Sequence, residues 1–196
     1  MREAAKTISW RQETSEMVPV KETEYTIEDI RALPEGERAE LIDGQMYMMA
    51  APSSEHQALV TRAVGELYAY IKRHGGSCSV FSSPFAVFLG DNQDYLEPDV
   101  TVVCDPSKIR DDGCHGAPDL VLEVVSASSR RQDYFTKLFK YRAEGVREYW
   151  IVDPMKNRVM VYRFSEDEDH EDIDVYSLWD AIPVGICGDL TITLKG

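Results

Sequence analysis

The sequence contains no apolar run that approaches the ~20 residues needed for a membrane-spanning helix. The charged segment from Met1 to Arg31 also lacks the apolar stretch of a secretory signal peptide. These two absences predict a soluble, cytoplasmic protein.

Cysteine is scarce, with four residues (Cys78, Cys104, Cys114 and Cys187) and no CxxC pair. Zinc sites are built from closely spaced ligand pairs, and Cys114-His115 with Cys104 supplies only part of such a site. A chain of 196 residues with 43% hydrophobic residues can bury a core without metal or disulfide staples. We therefore expect reduced, buried cysteines.

Positive charge is also in deficit. The 21 Lys and Arg residues face 35 Asp and Glu residues, giving a net charge of -14, which argues against a protein that simply coats nucleic acid. The distribution is uneven, because residues 130–163 hold nine basic and four acidic residues, whereas residues 166–174 hold seven acids. We interpret the acidic run as a solvated loop and the basic stretch as compatible with a locally basic surface.

The pattern along the chain predicts one α/β domain. Residues 1–24 are polar and aperiodic, as in a flexible N-terminal arm, and residues 25–196 form a single domain. Capping boxes at Thr26 and Ser54 begin a short and a long helix, Asp43-Gly44 joins two strands, and Ser128 caps a helix over about 130–144. Ser79–Leu89 is predicted to be extended with an interruption at Pro84. Further strands are predicted at Val100–Cys104, Leu120–Val125, Glu148–Val152 and Arg158–Phe164, with weaker ones at Ile173–Tyr176 and Leu190–Leu194. This order favours a central mixed sheet flanked by helices.

Two acidic residues have an unusual context. Glu123 lies inside the apolar run Leu120–Val125, where an ionised carboxylate is costly unless it is paired or bound to a cation. Asp99 follows Pro98 and opens the strand at Val100. Two carboxylates on neighbouring strands can hold Mg²⁺ for phosphodiester hydrolysis. The alternatives are an ion pair between Glu123 and the next helix, and a turn or strand-end cap at Asp99.

A cation could complete this set. Asp133, Lys137 and Tyr141 are spaced i, i+4, i+8 and share one face of the predicted helix. Lys137 could reach the carboxylates and stabilise charge on a phosphate. The alternative is an ordinary surface pair between Asp133 and Lys137.

Taken together, these segments resemble the Uma-two family of restriction-endonuclease-like proteins, a branch of the PD-(D/E)xK nuclease superfamily. The resemblance covers about residues 25–164. It is carried by residues 40–44 (ELIDG), 52–56, 97–100 (EPDV), 117–126 (APDLVLEVVS), Asp133 with Lys137 and Tyr141, and 145–154 (GVREYWIVDP).

The resemblance implies a restriction-endonuclease-like α/β fold, with a central mixed sheet flanked by α-helices and the site at the edge of the sheet. Asp99 matches the superfamily aspartate and Glu123 the (D/E) position, both as metal ligands. Glu40 matches an acidic residue that precedes the first strands, as a third carboxylate at or near the metal. The sequence departs from the superfamily pattern at Val125, where a lysine is expected, and Lys137 is the substitute that the resemblance implies.

Two further residues are assigned auxiliary roles. His56 could act as a base or could hold Glu40 or Asp99 from the start of its helix, and Tyr141 is expected to be a core or wall residue. The resulting hypothesis is a Mg²⁺-dependent endonuclease acting on DNA, with Mn²⁺ as a substitute, and we expect a homodimer. The alternative is a catalytically degenerate nuclease fold that binds nucleic acid or protein. An acyl or glycosyl hydrolase is a weaker candidate, because there is no GxSxG motif and paired acids alone do not identify a glycosidase.

Overall fold

The computed structural model describes residues 24–91, 93–164 and 171–196. Almost all of the predicted arm, residues 1–24, lies outside these ranges, as does the first part of the acidic run. The last part of that run is not a loop, because Glu171–Tyr176 is a strand. Among the described residues, no helix is at once long enough and apolar enough to cross a membrane.

Three α-helices are present in the described ranges. They are α1 (Ile27–Arg31), α2 (Ser54–His74) and α3 (Lys137–Glu144), and a π-helical turn at Gln132–Thr136 leads directly into α3. The predicted capping box at Thr26 is confirmed. At α2 the predicted cap is off by one residue, because Ser53 rather than Ser54 accepts the backbone N–H of His56.

The strands, with their bounds, are β1 (Ala39–Ile42), β2 (Gln45–Met48), β3 (Ser79–Ser82), β4 (Val87–Leu89), β5 (Asp94–Leu96), β6 (Val100–Val103), β7 (Ile109–Arg110), β8 (Gly113–His115), β9 (Leu120–Val124), β10 (Glu148–Asp153), β11 (Arg158–Phe164), β12 (Glu171–Tyr176), β13 (Ile182–Pro183) and β14 (Thr191–Ile192). The predicted hairpin is confirmed. Asp43 and Gly44 connect β1 to β2 with φ of 50° and 72°, values that aspartate tolerates and glycine adopts freely.

The α/β fold is confirmed, although the structure has two large sheets where one central sheet was expected. One sheet has the order β2-β1-β5-β4-β8-β7 and the other the order β12-β11-β10-β9-β6-β3. Both are mixed, since β9 and β10 run parallel and so do β4 and β8. A small pair, β13 and β14, is added near the C-terminus.

The sheet that contains β9 has an apolar core on each face. On one face it packs against α2 and the C-terminal segment, through residues such as Leu67, Leu122 and Trp150. On the other face Val121, Tyr149 and Ile151 meet Val87 and Leu96 of the second sheet. Because β9 is covered on both faces, all five of its residues are buried, and Glu123 lies within this strand.

The expectation of reduced cysteines is wrong for one pair. Cys78 and Cys104 form a disulfide, whereas Cys114 and Cys187 are free and buried. The antiparallel register of β3 and β6 explains the pairing. Ser79, the first residue of β3, lies opposite Val103, the last residue of β6. Cys78 and Cys104, the residues just outside these strand ends, are therefore also opposite each other.

Candidate functional site

A cleft of about 440 Å³ lies beside the carboxyl end of β9. Its walls come from the end of β2, the start of α2 and the serine-rich loop at residues 126–129. The residues that line it include Glu40, His56, Asp99, Glu123 and Lys137. The structure therefore brings all four predicted catalytic residues and one auxiliary residue to a single cavity.

Asp99 and Glu123 are brought together by the pairing of β6 with β9. Val100 lies opposite Leu122, which places the residue before β6 beside the end of β9. Asp99 Oδ2 accepts the backbone N–H of Val124 at 2.7 Å, and the backbone N–H of Asp99 lies 3.4 Å from Glu123 Oε2. The carboxylate of Asp99 thus spans to the neighbouring strand, which a turn cap would not do.

Lys137 points into the protein. Its Nζ lies 2.8 Å from Glu123 Oε1 and 2.7 Å from Glu40 Oε2, and only 4% of the residue is exposed. The interpretation of Asp133 and Lys137 as a surface pair is wrong, because Asp133 is also buried and its Oδ1 lies 3.7 Å from Lys137 Nζ. The alternative proposed for Glu123, an ion pair with the next helix, describes a contact that is present.

Glu40 reaches the cleft from the other sheet. It is the second residue of β1, whereas the resemblance places it before the first strands, and it is buried. The backbone N–H of Glu97 donates to Glu40 Oε1 at 3.0 Å, which fixes the carboxylate toward Lys137. The three carboxylates therefore come from three separate strands or strand ends.

The two predicted auxiliary residues each touch one acid. The hydroxyl of Tyr141, fully buried, donates to Glu123 Oε1 at 3.0 Å. His56 Nε2 lies 3.1 Å from Asp99 Oδ2. Burial alone would lower the pKa of His56, but the hydrogen bond to Asp99 and the charge of that carboxylate outweigh it, so the pKa is raised. These contacts orient one oxygen of each acid.

The site holds more acids than bases. The four carboxylates of Glu40, Asp99, Glu123 and Asp133 face only the basic side chains of Lys137 and His56 among the described residues. Burial raises the pKa of Glu123, Lys137 opposes that rise, and Asp99 and Glu40 add to it. Burial lowers the pKa of Lys137 in isolation, but the surrounding acids raise it overall. The excess negative charge in a poorly solvated cleft favours the uptake of a cation.

Sequence reasoning missed two features of this cleft. One is the burial of Asp133, whose Oδ2 accepts from the hydroxyl of Ser129 at 2.6 Å. The other is an ion pair between Arg38 and Glu97, supported by a 2.6 Å hydrogen bond from Arg38 to Ser83. The position of Asp133 one turn before Lys137 shows that the two side chains share a face of the helix, but it does not show that this face is buried. The pairing of Arg38 with Glu97 has no short-range signal, because 59 residues separate them.

The donor chemistry fits a small divalent cation. Mg²⁺ prefers carboxylate oxygens, needs only one or two carboxylates, and keeps several waters. Asp99 and Glu123 supply such a pair. Of the two carboxylate oxygens of Asp99, Oδ2 accepts hydrogen bonds from the described residues and Oδ1 accepts none. Within residues 24–91, 93–164 and 171–196 there is no group of three His, Cys, Asp or Glu side chains arranged to hold a metal. The ammonium of Lys137 lies between Glu40 and Glu123, and it therefore separates Glu40 from a cation bound to Glu123.

The basic residues of 130–163 do not form one surface. Arg130, Lys156 and Arg158 cluster around the buried Asp153 and the ring of Tyr134. Arg130 also lies 3.9 Å from the sulfur of Met155, a residue of the cleft wall. Four of the other six are dispersed: Lys137 is buried, Lys140 binds Asp43 and Asp94, Arg147 binds Asp119, and Arg163 binds Asp174. Of these basic residues on the surface, the first cluster is the one that adjoins the cleft.

The model of the Uma2 (Uma-two) family, described as "Putative restriction endonuclease", matches residues 27–193. The chain belongs to the Uma2 family. Two uncharacterized proteins of Synechocystis are relatives: slr1290 is 28% identical over 134 residues, covering 68% of this chain and 70% of the relative, and sll1609 is 27% identical over 130 residues, covering 65% and 72%. A crystal structure from Anabaena variabilis, described as "a putative nuclease belonging to DUF820", superposes with a TM-score of 0.69 at 21% identity, over 87% of this chain and 96% of that one. This last similarity confirms the fold, and the family match confirms the resemblance found in the sequence.

Proposed function

We propose that this protein is a metal-dependent endonuclease that hydrolyses phosphodiester bonds in DNA. The observation that carries the proposal is the meeting of Asp99, Glu123 and Lys137 in one cleft, with Glu40 as a further carboxylate. This is the chemistry that metal-assisted hydrolysis requires, because acids hold the cation and an amine compensates developing negative charge. Membership of the Uma2 family supports the same assignment.

Each residue has a defined part in this proposal. Asp99 and Glu123 would hold Mg²⁺ or Mn²⁺, with Glu40 near the cation but bound to Lys137, and the cation would supply an activated water and neutralise charge on the phosphate. His56 would hold the carboxylate of Asp99 in one orientation, and Tyr141 would do the same for Glu123. The carboxylate oxygens would therefore be in place before the cation binds. Lys137 remains protonated and faces the site of charge development.

The lysine on the helix replaces the missing lysine on the strand. Val125 is buried against the core between the two sheets and adds an apolar side chain to the cleft lining. Lys137 instead reaches the carboxylates from the following helix, 14 residues from Glu123. Lys137 would therefore take the part that the superfamily pattern gives to a lysine on the strand.

The duplex is proposed to approach along the Arg130, Lys156 and Arg158 cluster. These cations adjoin the cleft wall and could contact the phosphate backbone, which carries most of the affinity in such complexes. A homodimer would place two clefts on one duplex, and light scattering of the purified chain tests that expectation.

Cleavage of supercoiled plasmid tests the function. We expect nicked or linear product with Mg²⁺ or Mn²⁺, none with EDTA, and a loss of at least ~100-fold in Asp99→Ala and Glu123→Ala, since metal-binding residues act as a unit with the cation. A matched control is Glu66→Gln, which removes a carboxylate from the exposed face of α2. Cleavage that persists in both alanine variants would exclude the proposal. A protein that binds DNA but neither binds metal nor cleaves would support the alternative of a degenerate binding module.

A further inference from the structure

Asp133 is a buried acid that the proposed chemistry does not use. It is 1% exposed, it lines the cleft, and its Oδ1 has no hydrogen-bond partner among the described residues although the atom is out of contact with solvent. Buried acceptors are almost always satisfied, because an unpaired one has lost its hydration without gaining another hydrogen bond. An orphaned oxygen at this position therefore calls for a specific explanation.

The nearest cation to that oxygen is already bound elsewhere. Lys137 Nζ is 3.7 Å from Asp133 Oδ1, too far for a hydrogen bond, while it lies 2.7 Å from Glu40 and 2.8 Å from Glu123. Burial raises the pKa of Asp133 to about 6, Lys137 lowers it, and the other acids contribute to the rise. Asp133 is thus a carboxylate that lies just beyond hydrogen-bond distance of an ammonium bound by two other acids.

Binding of a divalent cation at Glu123 would create a conflict. Glu123 Oε1 already accepts from both Lys137 and Tyr141, and Oε2 has only a 3.4 Å contact with the backbone N–H of Asp99. A divalent cation on either oxygen therefore brings a second positive charge beside the ammonium of Lys137. Lys137 is only 4% exposed at the start of α3, so an ammonium that leaves Glu123 remains poorly hydrated. It needs another buried acceptor within reach.

We propose that Asp133 is the positioning residue that receives the ammonium of Lys137 when a divalent cation takes Glu123. Lys137 then releases Glu123, closes the 3.7 Å gap to Asp133 Oδ1, and keeps its contact with Glu40. Ser129 holds the other oxygen of Asp133 in place, so the acceptor is preorganised and the movement falls to the flexible lysine side chain. The inference rests on the metal-dependent function proposed above and adds to it a role for a fourth acid.

The π-helical turn supports this role. The turn spans Gln132–Thr136 and contains Asp133, and Lys137 follows it as the first residue of α3. Such single π-turns are uncommon and are often found at functional sites. Here the turn places both side chains of the proposed exchange on the buried side of the helix.

Mn²⁺ titration by calorimetry tests the inference through binding rather than through activity. Asp133→Asn retains an acceptor for Ser129 but removes the charge that attracts Lys137, and we expect its affinity for Mn²⁺ to fall by about tenfold. The control Glu66→Gln should bind Mn²⁺ as the wild type does. In a Lys137→Met background no ammonium has to be relocated, so Asp133→Asn should then change the affinity by less than about twofold.

Two results would overturn the inference: an unchanged affinity in Asp133→Asn, or the same loss in the Lys137→Met background. Circular dichroism will show whether Lys137→Met folds. If it does not fold, a crystal structure of the wild type with Mn²⁺ replaces this test. We expect Lys137 Nζ to lie within about 3.2 Å of Asp133 Oδ1 in that structure. A Lys137 Nζ that is still bound to Glu123 would contradict the inference. Plasmid cleavage by the wild type is a separate readout: coupled binding without cleavage would leave this inference intact and refute the nuclease function, and cleavage without coupling would do the reverse.

Discussion

The side-chain nitrogen of Lys137 lies 2.8 Å from Glu123, a carboxylate inside a strand whose five residues are all buried. An isolated charge in either position would be very costly, and each residue is tolerable because the other is present. The pair also places an amine on the carboxylate that adjoins Asp99, so that the residues that pack the core are those that the proposed phosphodiester hydrolysis would use.

Replacement of Lys137 should destabilise the fold strongly. Lys137→Met leaves Glu40 and Glu123 buried without their cation, and breaking a buried ion pair costs about 3–5 kcal/mol. Urea unfolding at pH 7 measures this change. Lys156→Met, at a lysine whose side chain is 45% exposed, is the matched control and should cost less than about 1 kcal/mol. Equal stabilities of the two variants would contradict the buried network.

Asp133 should make stability depend on pH. Its pKa is raised from 3.8 to about 6 in the folded protein. The folded state therefore binds this proton more tightly than the unfolded state, and the stabilisation, complete below about pH 4, is lost as the pH rises through 6. We expect Asp133→Asn to gain about 2–3 kcal/mol relative to the wild type between pH 4 and pH 7. Urea unfolding in EDTA at both pH values measures this gain, and a difference that is constant with pH would count against it.

The hydroxyl of Tyr141 should contribute to both stability and metal binding. Tyr141→Phe keeps the ring in the core but removes the hydrogen bond to Glu123, at a cost of about 1 kcal/mol. Because the carboxylate then loses an orienting donor, Mn²⁺ affinity should fall about tenfold. Tyr68→Phe, at an exposed tyrosine of α2, is the control and should change neither quantity. A Tyr141→Phe variant with wild-type metal affinity would show that Glu123 needs no such orientation.

DNA binding should depend on the basic cluster beside the cleft. Arg130→Gln combined with Lys156→Gln should weaken binding to a short duplex, because fewer phosphates are then neutralised by the protein. The slope of log K against log salt should become shallower by about 0.9 for each such phosphate. Arg147→Gln, which alters a cation paired with Asp119 and outside the cleft lining, is the comparison. If the two proteins show the same slope, the proposed path of the duplex is wrong.

Local patterns predicted much of this structure. The hairpin at Asp43-Gly44, the long α2 helix and the buried strand around Glu123 follow from turn chemistry and hydrophobic periodicity over a few residues. The four residues predicted to be catalytic, and His56, line one cleft. They could be named from the sequence because the family motifs identify each of them by its position along the chain. Their chemical roles remain predictions.

Features that depend on long-range pairing could not be predicted. The division into two sheets and the disulfide between Cys78 and Cys104 follow from strand register, which short segments do not encode. The burial of Asp133 was hidden for a different reason, since an acid one turn before a lysine is most often a solvated pair. Its partnerless oxygen is visible only in the packed structure of the described residues.

The most direct test of the account is the position of Mn²⁺ in a crystal of this protein, read from anomalous scattering. We predict one peak in the cleft, within about 2.3 Å of a carboxylate oxygen of both Asp99 and Glu123, as expected for a hard cation on oxygen ligands. A peak elsewhere, or an empty cleft at saturating Mn²⁺ with Lys137 still on Glu123, would contradict the central claim.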